Sequence, residues 1–175
     1  SRAGLKDESW VGRLAVGWGS TGFIHVVGTL PHELHRVILG NRKALVKLLF
    51  DAFSQKLLQL SKDPQWLGRK CSITTVLHTW GQNLQFHPHL HCVVPGGGLS
   101  PDGQRWVSCR PDFFLPVHVL SRLFRRLFLE SLQKAFNAGE LQFFGTLEPL
   151  RDRTAFAEHL APAKTSEWVV YAKRP

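Results

Sequence analysis

The chain has few cysteines, and their spacing excludes two kinds of small protein. Cys71, Cys92 and Cys109 form no C-x-x-C pair. An odd number of cysteines at scattered positions argues against both a disulfide framework and a zinc knuckle. We interpret Cys92 as a small buried hydrophobic residue.

Long apolar runs are also missing. No stretch approaches the ~20 apolar residues that a membrane-spanning helix needs, and no basic and apolar leader begins the chain. The sequence therefore predicts a cytoplasmic protein with no membrane partner.

Acidic residues are scarce relative to basic ones. There are 13 Asp and Glu against 22 Lys and Arg, which gives a formal net charge of +9 with neutral histidines. Such a surplus in a small domain indicates a polyanionic partner, although charge alone leaves open a merely soluble basic surface. Together with the candidate metal site below, it favours nucleic acid over an anionic membrane.

The remaining composition is that of a folded domain. With 175 residues, of which 43% are hydrophobic, the chain can bury a core of its own. Residues 1–21 show no clean period, and we expect a poorly determined segment there, followed by one domain over 22–175. The predicted elements of that domain, in order, are a strand (22–30), a helix (41–60), two strands in a hairpin (71–80 and the segment after Pro88), a helix (116–138), a short helix (152–160) and a strand (167–173).

With the short helix left aside, the order is βαββαβ, which predicts an α+β fold with an antiparallel sheet, helices mainly on one face and the other face free. The strand over 22–30 is expected to be central because it is β-branched and apolar. Asn41 can cap the first long helix. Its buried stripe is expected to consist of Leu45, Leu48, Leu49, Ala52, Phe53, Leu57 and Leu60.

A histidine-rich strand is the feature most typical of a functional site. Leu90, Cys92 and Val94 alternate with His89, His91 and Val93, which predicts a strand with the first three residues on the core. His89 and His91 would then lie side by side on the other face. Pro88 lacks an N–H, so the strand is expected to begin beside it.

Two imidazoles ~7 Å apart along a strand can converge on one divalent cation. A pair of solvated surface histidines is the alternative. His78 and His87 lie in the same segment, and Gln82 precedes the strand and offers a neutral oxygen as a third ligand. Oxygen and imidazole donors without thiolate suit Mg²⁺ or Mn²⁺, with Zn²⁺ also open.

Three blocks carry a resemblance to a known family. They are HTWGQNLQFHPHLHCVVPGGGLSPDG (78–103), HVVGTLPHEL (25–34) and EWVVYAKRP (167–175). Together they resemble the IS ninety-one family of insertion-sequence transposases, which belong to the HUH single-strand DNA endonucleases. The resemblance implies rolling-circle transposition, in which a tyrosine attacks a DNA phosphate and a metal polarises that phosphate. His89 and His91 match the family's metal-binding pair, and single-stranded transposon-end DNA is the implied partner.

Several side chains are candidates for contacting that DNA. Trp80 could stack an unpaired base, with burial under the hairpin as the alternative. His32 lies in a block that the family keeps beside its active site, with a helix cap or turn as the alternative. Arg122, Arg125 and Arg126 could hold phosphates if they lie near the metal, or could form an ordinary solvated face.

The nucleophile is harder to place. Tyr171 is the only tyrosine, and in the family the paired catalytic tyrosines follow the segment that 167–175 resembles. We therefore interpret Tyr171 as a strand residue and expect a chain truncated before the tyrosine helix, able to bind metal and DNA without cleaving. Two alternatives are a non-catalytic single-strand nucleic-acid binding module with an RRM-like fold and a metal-dependent hydrolase of another phosphate substrate.

Overall fold

A four-stranded antiparallel sheet forms the centre of the protein. The computed structural model describes residues 22–63, 70–81, 85–109 and 116–173, so the predicted segment 1–21 and Gln82 lie outside the described residues. Its strands are β1 (Phe23–Thr29), β2 (Thr74–Trp80), β3 (Phe86–Pro95) and β6 (Val170–Lys173). They lie in the order β2-β3-β1-β6, with β1 in the predicted central position.

Helices follow the strands in the predicted order. The α-helices are α1 (His35–Gly40), α2 (Arg42–Lys62), α3 (Val117–Asn137) and α4 (Arg153–Thr165). Two 3-10 helices (His32–Leu34 and Gly145–Arg151) and a separate hairpin of β4 (Gly97–Leu99) with β5 (Trp106–Ser108) complete the described elements. The α+β plan of βαββαβ order is confirmed, and α1 is an additional short helix that the sequence pattern did not predict.

One face of the sheet carries the core. Leu90, Cys92 and Val94 are fully buried, as the alternation predicts, and pack with Phe53 of α2 and Phe124 of α3. Each large apolar side chain buried in this layer contributes about 1.5–3 kcal/mol. The predicted stripe of α2 is buried except for Leu48, which is partly buried. The helices therefore support the sheet from one side and leave the other side open.

Two local expectations were wrong. The strand runs through Pro88, because β3 extends to Phe86, which pairs with Trp80 across a shift in register. Pro88 lies beyond the last residue pair with β1, at Thr29 and His89, so no bond from its nitrogen is needed there.

Asn41 does not cap α2 with its side chain. Its amide nitrogen donates to the carbonyls of Val37 and Gln142, and its Oδ1 accepts from the Gln142 amide at 2.7 Å. Asn41 therefore ties the start of α2 to the segment that follows α3.

Gly28→Ala should destabilise the fold. A Cβ at Gly28 would meet three ring carbons of the buried Phe53 at 2.4–2.8 Å, so the ring would have to move within a packed core. We expect a loss of about 1–3 kcal/mol in the free energy of unfolding, measured by urea denaturation. Gly40→Ala is the matched control, because its Cβ would lie 3.6 Å from Leu147 and a helical alanine is favourable. Equal effects of the two substitutions would contradict this account of the packing.

Candidate metal centre

The hairpin of β2 and β3 brings three histidines together on the open face. His78 lies opposite His89, and Val76 lies opposite His91. His89 and His91 alternate with buried Leu90 and point away from the core, as the sequence predicts. We call His78, His89 and His91 the histidine triad.

The rings of the triad are close enough to share one ion. One ligand nitrogen from each of the three side chains lies within 4.8 Å of the other two. Ring centroids are 4.9 Å apart between His89 and His91, and 4.2 Å apart between His78 and His91. Three neutral imidazoles in this arrangement could hold a divalent cation.

Hydrogen bonds orient two of the rings. The Nδ1 of His89 lies 2.6 Å from the backbone carbonyl of His87, so Nδ1 must carry the proton and Nε2 is the free acceptor. The Nδ1 of His91 lies 2.6 Å from the Nε2 of His25. The Nε2 of His91 is buried and has no hydrogen-bond partner among the described residues. Burying a polar atom without a partner costs about 1–3 kcal/mol, and a bound metal ion would remove that cost by accepting the lone pair of this nitrogen. The residues present therefore fit a metal.

The local environment favours the neutral form of two clustered imidazoles, His91 of the triad and its neighbour His87. Burial, followed by the nearby His78, His89 and His25, lowers the pKa of His91. Burial, and then His35 and His89, lowers the pKa of His87 in the same way. Neutral imidazole is the form that ligates metals, so these shifts favour ligation.

A third imidazole, that of His78, joins the two that the sequence predicted. Gln82, the predicted third ligand, lies outside the described residues. His78 occupies the place beside His89 because the two strands pair antiparallel. The signal was present in the sequence, since Thr74, Val76 and His78 alternate along β2 in phase with the histidines of β3.

The predicted DNA-contacting residues divide between surfaces. Trp80 is 62% exposed at the end of β2, two residues beyond His78 and across a shift in register. His32 is exposed in the 3-10 helix just before His35, whose ring contacts His87. The block that contains His32 therefore lies near the end of β3 where the histidines cluster.

The three arginines of α3 are not brought to the histidine triad. Arg122, Arg125 and Arg126 border a depression of about 560 Å³ with Lys164, and none of the triad residues lines it. Arg125 donates to the backbone carbonyl of Ser166 at 2.5 Å. These arginines form a separate basic surface beside α4.

Tyr171 lies on the open face but not beside the triad. It is 51% exposed and pairs with Val27, which in turn pairs with His91. Two strand spacings, ~10 Å, therefore separate the backbones of Tyr171 and His91.

Comparison with known proteins agrees with this geometry. Residues 72–175 match a family model described as "Putative transposase". The chain belongs to this transposase family. It is 56% identical over 155 residues to "Putative transposase y4qJ" of Sinorhizobium fredii, covering 89% of this chain and 39% of that protein. It is also 37% identical over 79 residues to the transposase for insertion sequence element IS801 of Pseudomonas savastanoi pv. phaseolicola, covering 45% of this chain and 18% of that protein.

The resemblance to insertion-sequence transposases is thus confirmed, although the chain spans less than half the length of these relatives. Among solved structures, the fold is similar to the conjugative relaxase TrwC in complex with oriT DNA. That match has a TM-score of 0.50 and 18% identity, covering 63% of this chain and 43% of that chain. A TrwC complex with a 27-mer DNA that comprises the recognition hairpin and the cleavage site gives a TM-score of 0.50 at 17% identity, covering 63% and 44%. The described sheet and helices therefore share the fold of this conjugative relaxase.

Hydropathy adds one further finding. Within the described residues, no helix combines the length and apolar character needed to cross a membrane.

Acidification should destabilise the protein in the absence of added metal. The pKa values of His35, His87 and His91 lie below the ordinary value of 6.5 because of burial, so the unfolded chain binds protons more readily. The contribution of these neutral histidines to the free energy of unfolding is fully present above pH 6.5. It is lost as the pH falls through their lowered pKa values in the folded protein. We expect the Tm to fall between about pH 7.5 and pH 5.5, and His87→Gln to reduce that slope. A wild-type Tm independent of pH over this interval would contradict the prediction.

Proposed function

We propose that this chain is the metal-binding and DNA-binding core of an HUH-type transposase that cleaves single-stranded transposon ends. The observation that carries the proposal is the convergence of His78, His89 and His91 on the open face of the sheet, in a chain of a transposase family. A bound divalent ion would polarise the scissile phosphate and stabilise the charge that develops on its oxygens.

The donor set bears on the choice of ion. Three imidazoles, instead of two with an amide oxygen, suit a transition-metal ion such as Mn²⁺ or Zn²⁺ better than Mg²⁺, which prefers oxygen donors. His89 is held by its own strand carbonyl and His91 by His25, so both rings keep a fixed orientation toward a shared ion. We therefore favour Mn²⁺ or Zn²⁺ over Mg²⁺.

The open face offers contacts for unpaired bases and for phosphates. Trp80 is an exposed aromatic side chain two residues beyond His78 on β2, suited to stacking one base of the scissile strand. His32 is exposed close to His35, which contacts His87, and would contact DNA at that end of the sheet. Arg122 and Arg126 would contact phosphates on the separate surface of α3. The net charge of the whole chain, +9, would add an attraction to DNA that does not depend on base sequence.

We propose that the attacking tyrosine is not Tyr171. Its backbone lies two strands from that of His91, whereas a nucleophile must reach the same phosphate that the ion polarises. A tyrosine in another part of a longer transposase would take this role, in keeping with a chain that covers 39% of its relative from S. fredii. This chain would then bind metal and DNA but not cleave alone.

Metal binding is the direct test of the triad. We expect Mn²⁺ to bind wild-type protein with one site in calorimetric titration. His78→Ala and His89→Ala should each lower the affinity by at least about 100-fold, since loss of a ligand should exceed the effect of losing an outer partner. His118→Ala, which removes an exposed histidine at the start of α3, is the matched control and should bind as wild type.

No Mn²⁺ binding to the wild-type protein would leave the non-catalytic nucleic-acid binding module as the better description. Undiminished binding in His78→Ala would remove His78 from the site.

DNA binding tests the open face. We expect tighter binding to single-stranded than to duplex DNA, weakening as salt is raised, measured by fluorescence anisotropy. Trp80→Ala should weaken single-strand binding by ~1–3 kcal/mol, the contribution of one stacked base. Phe144→Ala is the control, because Phe144 is 65% exposed but lies outside the strands. Equal losses in both variants would contradict stacking on Trp80.

A further inference from the structure

His25 makes a contact that the metal site itself does not require. It lies on β1, pairs with Val93, and is the diagonal neighbour of His91 on the open face. Diagonal neighbours in an antiparallel pair are ~7–8 Å apart, which long side chains can span. The Nε2 of His25 reaches the Nδ1 of His91 at 2.6 Å.

The two rings meet edge to edge. Their planes differ by 13° and their centroids are 4.8 Å apart. The bonded nitrogens are 2.6 Å apart. The rest of the distance between the ring centroids equals the distance from the centre of an imidazole to its nitrogen, counted once for each ring. Both nitrogens therefore lie close to the line that joins the ring centres. This is the arrangement of a straight, in-plane N–H···N hydrogen bond, not of face-to-face stacking.

We propose that His25 is a positioning residue that holds His91 as its Nδ1–H tautomer, so that the Nε2 of His91 is unprotonated and available to a metal. The inference rests on the proposed function of the histidine triad. In this arrangement His91 donates from Nδ1 and His25 accepts at Nε2.

The opposite assignment fits the surroundings less well. If His25 donated instead, the proton of a neutral His91 would be on Nε2. That nitrogen is buried and has no partner among the described residues. A buried N–H without an acceptor is among the rarest arrangements in folded proteins. The chosen tautomer leaves a lone pair there, which a cation can accept.

His89 provides an internal comparison. Its Nδ1 donates to the carbonyl of His87, so the backbone of β3 alone fixes its tautomer. His91 is fixed by a side chain from β1, 66 residues earlier in the chain. Replacing His25 should therefore affect His91 and leave His89 unchanged.

The test is the tautomer of each histidine in the full chain without added metal, read from long-range ¹H–¹⁵N correlations of the imidazoles above neutral pH. We expect Nδ1–H for both His91 and His89 in the wild type. In His25→Phe, His91 should shift to Nε2–H while His89 keeps its tautomer. His25→Asn, which retains an acceptor oxygen, should recover part of the Nδ1–H form.

A second readout is the affinity for Mn²⁺. We expect His25→Phe to weaken binding ~10–100-fold, the usual effect of removing an outer partner of a ligand, with smaller loss in His25→Asn. A wild-type His91 protonated at Nε2, or an unchanged His91 spectrum in His25→Phe, would overturn the inference. Failure of the wild type to bind Mn²⁺ would instead overturn the proposed function, because the tautomers are measured without metal.

Discussion

The register of β3 between its two neighbours is the constraint on which the rest of the structure depends. It sets His78 opposite His89 and His25 diagonal to His91. A slip by one residue would turn every side chain of β3 to the other face. Because Leu90, Cys92 and Val94 fill the core, such a slip would expose them and bury the imidazoles. Packing on one side of the strand therefore fixes the chemistry on the other.

The helices pack against the sheet on the side opposite the histidines and restrict its movement. Phe53 of α2 lies directly against the backbone of β1 at Gly28, where only a glycine leaves room for the ring. Gly28 pairs with Leu90, the residue between His89 and His91. Close packing beneath the sheet thus limits how far His89 and His91 can move apart, as is required of ligands that share one small ion.

Local pattern was enough to predict the element order, the buried face of β3 and the outward direction of His89 and His91. It failed where distant segments meet. The place of His78 beside His89 depends on the pairing of β2 with β3, which no window along one strand contains. Gln82 as a third ligand stays a prediction, because it lies outside the described residues. Asn41 was predicted as a cap, yet it bonds to Gln142, 101 residues away. The bond from His25 to His91 depends likewise on a pairing that no short window of sequence contains.

The position of β2 has a consequence for how ion binding and local order are related. β2 is the outer strand of the described sheet, joined only to β3, and none of its residues is fully buried. It nevertheless supplies His78, so an ion held by all three imidazoles would link β2 to β3. Local unfolding of β2 would then release the ion, and binding of the ion would stabilise β2. The fraction of protein with a bound ion would therefore follow the fraction in which β2, which carries Trp80, is paired with β3.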